Sequence, residues 1–350
     1  MPSLLHNPRL VRTAIVATLL SLLVLNAQTQ TNDAFTRGVA EFQAGNYTSA
    51  VTSFAKAEAS SPGTTDALLY QSKSLIHLND FPGAENAVRN YIGAHQQSSD
   101  AAYLLGFILH RENRPAESLA AYTQAATLAT PSAEDLKIVA LDYVLLDDYP
   151  DAIKWLEKAV EFDPKNKDAW YYLGRAYYSK GRLPEARKAF QQLLELDPRD
   201  VRAENNLGLI LETEGQPAAA IEAYRRAIEW QQQNLRPNEQ PYINLGSLLL
   251  EQGQTNDALP PLQKAAELAP SNAYCHLKLG MTYRKLGRLN EAQQELEKAT
   301  QLDPENAAAH YQLGRTLKEN NSLTRAQAEF DRAAELQARA AGSQTQPPVH

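Results

Sequence analysis

The sequence predicts an all-α solenoid built from about nine helical hairpins. The first observation behind this prediction is a fixed period, because small residues recur 34 positions apart along most of the 350-residue chain. The second is the helical spacing of apolar residues inside each period. The third is a glycine near the middle of many periods, where the chain would reverse direction. The first small column consists of Ala50, Ala84, Ala152, Ala186, Ala220, Ala258, Ala292 and Ala326, with Ser118 completing it.

A second small column lies 12 positions before the first and predicts where the two helices of each hairpin cross. A larger side chain at such a crossing would overpack it, so glycine or alanine allows a close approach. Proline follows the reversal in several periods, where its missing N–H costs nothing at the start of a helix. The crossing column is Gly38, Ser72, Gly106, Ala140, Gly174, Gly208, Gly246, Gly280 and Gly314. The reversal glycines are Gly45, Gly181, Gly215, Gly253 and Gly287, and the prolines are Pro82, Pro150 and Pro184.

The fifth period carries a complete known signature. Its residues Trp170, Leu173, Gly174, Tyr177, Ala186, Phe190 and Pro198 match the pattern W-x₂-L-G-x₂-Y, A-x₃-F, P. The chain therefore resembles the tetratricopeptide repeat family, and the resemblance implies a right-handed αα-superhelix in which each unit packs only against its neighbours. The units are 31–64, 65–98, 99–132, 133–166, 167–200, 201–234, 239–272, 273–306 and 307–340, and residues 341–350 are expected to be a disordered tail.

The first 27 residues have the layout of a secretory signal peptide. Arg9 and Arg12 precede an uncharged apolar run from Ala14 to Leu25, and Ala27 supplies a small residue at the cleavage edge. The run is short for a transmembrane helix, which needs about 20 residues. We therefore expect export to the periplasm or the extracellular space. The alternative is an uncleaved membrane anchor formed by residues 14–27, which would then be the chain's only membrane contact.

Two irregularities interrupt the repeat. Residues 235–238 are extra, and we expect them to add about one turn to the second helix of the sixth unit. Pro260 and Pro261 fall inside the second helix of the seventh unit. One interpretation is a late helix start with a slightly shifted stacking angle. The other is a hinge between units one to six and units seven to nine.

Composition and motifs argue against several functions. The formal net charge of −7 disfavours nucleic acid as a partner, and the single cysteine, Cys275, excludes an internal disulfide. No phosphate-binding loop, zinc-protease motif or nucleophile elbow is present, so we expect no enzymatic activity, cofactor or metal. His276 and His310 occupy the repeat position of Trp170, which indicates packing.

The family resemblance implies a partner-binding surface. In tetratricopeptide proteins the first helix of each unit lines the concave groove, so we expect a protein or peptide segment to bind there. Asn206 and Asn244 share a repeat position and are similar to the asparagine row of some members. The flanking units carry Tyr172 and Lys278 at this position, so a long row is absent. We expect the polar groove residues to be replaceable without loss of buried contacts. The candidate site is Tyr171, Arg175, Tyr178, Asn205, Asn206, Asn244, Lys278, Arg284 and Arg315.

An alternative partner is an envelope polysaccharide. Tyr171, Tyr172 and Tyr178 would then serve as stacking platforms for sugar rings. Both hypotheses describe a non-catalytic scaffold, and they differ in the chemistry of what it binds.

Overall fold

The computed structural model of the protein describes residues 33–63, 66–232 and 235–344. This part of the chain contains helices and no strands, which confirms the predicted all-α class of a helical-repeat solenoid. The predicted signal segment 1–27 lies outside the described residues. Within the ranges that are described, no helix is both long and apolar enough to span a membrane.

The chain divides into two compact units, residues 1–176 and 177–350. The division falls inside helix α9. The helices of the first unit are α1 (33–43), α2 (Tyr47–Ser60), α3 (Ala67–His77), α4 (Phe81–Ala94), α5 (Ser99–Arg111), α6 (Pro115–Leu128), α7 (Ala133–Leu145) and α8 (Tyr149–Phe162), followed by α9 (Lys167–Ser179). The second unit continues with α10 (Leu183–Leu196), α11 (Val201–Thr213), α12 (Pro217–Trp230), α13 (Gln240–Glu251), α14 (Thr255–Leu268), α15 (Ala273–Lys285), α16 (Leu289–Leu302), α17 (Ala307–Glu319) and α18 (Leu323–Gln344).

The crossing column brings the two helices of a hairpin together, as the sequence predicts. A Cβ atom built on Gly208 would lie 2.4 Å from the Tyr224 ring, and one built on Gly106 would lie 2.7 Å from the Tyr122 ring. Real side-chain atoms cannot approach so closely, so the aromatic ring fills the space that glycine leaves. Where serine enters a small column it is hydrogen-bonded: the Ser118 hydroxyl donates to the Gly106 carbonyl at 2.9 Å.

The hairpin reversals use the left-handed backbone conformation at one fixed repeat position. All five predicted reversal glycines have φ between 70° and 77°. Asparagine or aspartate takes the same position in the other four repeats, and these residues tolerate this conformation better than most. They are Asn79, Asn113, Asp147 and Asn321, with φ between 57° and 60°.

The structure corrects two predictions about the irregular region. Helix α12 ends at Trp230 with 14 residues, so the extra residues add no turn to it. Instead the Gln231 side chain closes the loop, donating to the Asn238 carbonyl at 2.8 Å and accepting from the Asn238 N–H at 2.7 Å. Helix α14 begins at Thr255, with Pro260 and Pro261 inside it, so the predicted late start is also wrong.

The C-terminal boundary also differs from the prediction. Helix α18 runs to Gln344, so the expected boundary between repeat array and tail at residue 340 falls inside a helix. Residues 345–350 of the expected tail lie outside the described part of the chain.

Candidate partner-binding surface

The first helices of the repeats in the second unit lie side by side. Helix α11 contacts α13, α13 contacts α15, and α15 contacts α17. When the equivalent helices of successive repeats lie side by side, the same repeat positions of each helix line one continuous surface. Six of the candidate residues belong to these four helices: Asn205, Asn206, Asn244, Lys278, Arg284 and Arg315.

Two candidate asparagines from adjacent repeats meet. Asn244 donates its side-chain amide to Oδ1 of Asn205 at 2.9 Å, and Gln240 donates to Oδ1 of Asn244, also at 2.9 Å. Asn205 is only 5% exposed, whereas Asn244 is half-buried. The amide chain therefore links α11 to α13, and its outer members, Asn244 and Gln240, are the ones that reach solvent.

Asn206 does not join this chain of amides. Its side chain donates to the Arg202 carbonyl of its own helix at 2.8 Å and is 8% exposed. The expectation that the polar groove residues could be replaced without loss of buried contacts is therefore wrong for Asn206, and the candidate Asn205 is buried as well.

Two of the candidate basic side chains are neutralised within the protein. The Lys278 ammonium lies 3.4 Å from a Glu251 carboxylate oxygen, and the Arg284 guanidinium lies 2.8 Å from Glu319. The Arg284 side chain is 11% exposed. A partner that used either cation would have to compete with an ion pair already in place.

Arg315 has a different environment. It lines an open cleft of about 540 Å³ together with Tyr311, Lys318, Glu319 and Phe330. Neither Arg315 nor Lys318 has a side-chain hydrogen bond or ion pair among the described residues. The Tyr311 and Phe330 rings lie 5.7 Å apart, and Tyr311 is exposed. The cleft therefore combines two available cations with an aromatic wall.

Sequence reasoning missed Tyr311 and Phe330. Tyr311 occupies the same repeat position as Tyr171 and Asn205, so the pattern contained a signal for it. Phe330 belongs to a second helix, where aromatic residues usually fill the crossing space. It lies against Gly314 in this way, yet it also borders the cleft.

The remaining candidates have local contacts. In the first unit, the Arg175 guanidinium lies 6.0 Å from the centre of the Tyr171 ring, and Tyr171 meets Tyr172 edge to face at 5.2 Å. In the second unit, the hydroxyls of Tyr178 and Thr213 lie 3.0 Å apart.

Another cleft, of about 370 Å³, lies along first helices of the first unit. None of its lining residues was predicted as a candidate site residue. Its lining includes Lys73, Asp100, Leu104 and Phe107. Lys73 and Phe107 occupy the same repeat position as Arg175 and Arg315. The periodicity therefore identifies this surface once the same positions are followed into the earlier repeats.

The histidines of the last two repeats are packing residues. Nε2 of His276 lies 3.1 Å from the Pro270 carbonyl, and Nε2 of His310 lies 3.1 Å from the Pro304 carbonyl. Trp170 makes the equivalent contact, donating its indole N–H to the Pro164 carbonyl at 2.9 Å. Among the residues that the structure describes, no three His, Cys, Asp or Glu side chains are grouped to hold a metal ion.

These features define a class of helical-repeat protein with hairpins of two helices and a glycine crossing. Sequence profiles described as "Tetratricopeptide repeat" match residues 35–87, 69–133, 144–207, 199–271, 249–299 and 307–339, and one described as "TPR repeat" matches 280–321. The chain belongs to the tetratricopeptide repeat family. None of the curated protein sequences compared with it matches.

Solved structures share the fold at low sequence identity. A tetratricopeptide repeat protein from Parabacteroides merdae ATCC 43184 has a TM-score of 0.59 and 18% identity, covering 72% of this chain and 98% of that one. The APC/C hetero-tetramer Cut9–Hcn1 gives 0.58 and 17%, covering 77% of this chain and 52% of that chain. Pseudomonas aeruginosa pilF gives 0.52 and 21%, covering 59% and 97%. At these identities the similarity establishes the fold alone.

Proposed function

We propose that this protein is a non-catalytic scaffold that binds an extended segment of a partner protein along the first helices of its second unit. The observation that carries the proposal is the open cleft at Arg315, where two cations that have no side-chain partner among the described residues lie beside exposed aromatic surface. Membership of a repeat family with extended binding surfaces supports it.

The cleft favours a particular kind of segment. Arg315 and Lys318 are suited to a carboxylate, and guanidinium–carboxylate hydrogen bonds are among the stronger ones in proteins. Tyr311 and Phe330 are suited to an apolar or aromatic side chain, and such anchors carry much of the energy at interfaces. The half-buried amide of Asn244 and the exposed amide of Gln240 can bond to the peptide backbone. We therefore propose an acidic segment with an aromatic or aliphatic residue nearby.

A displayed library of random peptides tests the proposal. Peptides selected on the full protein should be rich in acidic and aromatic residues, and Arg315→Glu should weaken the best of them by about tenfold or more. The matched control is Arg225→Glu on α12, an exposed arginine paired with Glu222 at 2.8 Å and outside the cleft. Full-strength binding to Arg315→Glu, or equal loss in the control, would contradict the proposal. If the protein selects no peptide from the library but retains envelope glycans in a separate pull-down, the result would favour the polysaccharide alternative.

We also propose that the protein is exported through its N-terminal segment. The charged start and the apolar run before Ala27 support cleavage between Ala27 and Gln28. N-terminal sequencing of the exported protein should begin at Gln28 or within a few residues of it. An intact Met1 in the membrane fraction would instead favour the anchor.

A further inference from the structure

The cleft along the first helices of the first unit differs in charge from the Arg315 cleft. It has a volume of about 370 Å³, and its lining residues belong to α3, α5, α6 and α7. It lies within residues 73–138, whereas the Arg315 cleft lies within residues 311–330 of the second unit. The two clefts therefore share no residue, and each can be tested without altering the other.

Aliphatic and aromatic side chains form most of the lining of this cleft. Leu104 and Phe107 of α5 are half-buried and pack against the core of the second and third repeats. Ile138 of α7 is 5% exposed. The Tyr103 hydroxyl donates to the Ala129 carbonyl at 2.7 Å, which fixes the position of that ring. Because these side chains are already held in place, little conformational entropy is lost when a partner covers them.

Three acidic side chains line the same cleft. They are Asp100 in the first turn of α5, and Glu134 and Asp135 in the first turn of α7. An acid is favourable there because it lies at the positive end of the helix dipole. That effect acts on every helix, however, and the first turns of α3, α13, α15 and α17 contain no acid. The helix dipole alone therefore does not account for three acids at one cleft.

Asp100 is the acid that is best placed to bind a partner. It is exposed and has no side-chain hydrogen bond or ion pair among the described residues. Asp135 accepts hydrogen bonds from the Ser132 hydroxyl at 2.6 Å and the Ser132 N–H at 2.9 Å, and neither donor is a cation. Glu134, in contrast, lies 2.6 Å from the Lys137 ammonium and is neutralised by it. Two carboxylates thus line the cleft without a basic partner in the described part of the chain.

A single basic residue, Lys73 of α3, is found among those that line the cleft. Its ammonium lies 5.4 Å from the centre of the Tyr70 ring and pairs with no acid among the described residues. The carboxylates that lack a basic partner therefore outnumber the cations. The Arg315 cleft has the opposite balance, because its Glu319 is paired with Arg284 and two cations remain.

The tyrosines of the cleft respond to this negative charge. Burial raises the pKa of Tyr103, and Asp135 raises it further. The pKa of Tyr122 is also raised, first by burial and then by Asp135, Asp142 and Glu134. A carboxylate that opposes the formation of a phenolate favours a cation in the same space. The electrostatic environment of the cleft therefore favours a basic group over an acidic one.

We propose that this cleft binds a basic segment of a partner protein, in which a lysine or arginine lies beside an aliphatic or aromatic residue. The basic side chain pairs with Asp100 in the field of Asp135, and its apolar neighbour covers Leu104 and Phe107. Charge complementarity of this kind decides which partner binds more than how tightly it binds. The protein then holds two segments of opposite charge, one in each unit, and this second site does not depend on the function proposed for the Arg315 cleft.

A displayed library of random peptides tests the proposal by comparing two charge-reversed variants of the full protein. Asp100→Lys changes the cleft. Asp151→Lys is the matched control, because Asp151 also lies in a first turn of the same unit, on α8, with its side chain 42% exposed and outside the cleft. Peptides that the wild-type protein and the control retain, but Asp100→Lys loses, should be rich in lysine or arginine beside apolar residues. The affinity of such a peptide should fall by about fivefold or more in Asp100→Lys, because a repulsive pair replaces an attractive one.

Two further variants separate this site from the Arg315 cleft. Lys73→Glu replaces the cation of the cleft by a carboxylate and should strengthen binding of the same basic peptides by about two- to fivefold. Arg315→Glu should leave their binding unchanged. The proposal is overturned if the peptides lost by Asp100→Lys are not basic, if Asp151→Lys loses them equally, or if Lys73→Glu fails to strengthen binding. Loss of the same peptides in Arg315→Glu would assign them to the other cleft and overturn it as well.

Discussion

Nδ1 of His276 lies 2.6 Å from a carboxylate oxygen of Glu295 in the eighth repeat. The ninth repeat reproduces the pair, because Nδ1 of His310 lies 2.6 Å from Glu329. In each pair the histidine comes from the first helix and the glutamate from the second, 19 residues later. Each pair thus joins the two helices of its hairpin.

Removal of one member of this pair should destabilise the second unit. Glu295→Ala leaves Nδ1 of His276 without a partner, and His276 is 2% exposed. The free energy of unfolding should fall by about 1–3 kcal/mol, measured from urea denaturation. Glu291→Ala, on the same helix but with its side chain 42% exposed and paired with Arg288, should have a much smaller effect. Equal effects of the two changes would contradict a structural role for the pair.

The crossing glycines should resist even the smallest substitution. Gly208→Ala would place a Cβ atom 2.4 Å from the ring of Tyr224, which is fully buried and held by Glu212. Overpacking of this kind costs about 1–3 kcal/mol, which exceeds the gain of about 1 kcal/mol that alanine brings to a helix.

Gly93→Ala is the control with the opposite expected sign. Gly93 lies in α4, it is exposed, and a Cβ atom there would meet nothing within 4 Å. This change should raise the urea midpoint, whereas Gly208→Ala should lower it. Matching shifts for both variants would show that the close approach at the crossing does not limit stability.

The sequence predicted the repeat fold well because its determinants are local and periodic. Each reversal glycine and each crossing residue is specified by one residue type at one repeat position. The positive φ at Gly215 and the close approach of Gly208 to the Tyr224 ring both follow from this periodicity. The polar contacts of the groove were not predictable in this way. Arg284 pairs with Glu319, 35 residues later, and that contact depends on how one repeat is rotated against the next.

Cys275 provides a test based on protonation. Burial raises the pKa of its thiol to about 11, from an ordinary value near 9. Between about pH 9 and pH 11 the unfolded chain therefore releases a proton that the folded protein keeps, so stability falls as pH rises through this window. Cys275→Ala should reduce the loss of stability between about pH 8 and pH 10, measured as the shift in urea midpoint. An unchanged pH dependence would mean that the thiol is accessible in the folded state.

The inserted loop and the two prolines make the junction of repeats six and seven the best candidate for a hinge. Pro260 and Pro261 cannot donate to the carbonyls one turn earlier, those of Asn256 and Asp257, so α14 lacks two hydrogen bonds that a regular helix of its length would have. Amide exchange should therefore be faster in residues 235–262 than in α12 and α16, which have the same length of 14 residues as α14 and contain no proline beyond the first turn.

The Gln231 side chain opposes this opening, because it holds both backbone groups of Asn238. Gln231→Ala should accelerate exchange at Asn238 and across the start of α13, and the double change of Pro260 and Pro261 to alanine should slow exchange in α14. Hydrogen exchange with mass-spectrometric detection measures both effects in one experiment. Uniform protection from α12 to α16 in the wild-type protein would rule out the hinge and leave the prolines as a local defect that the surrounding packing absorbs.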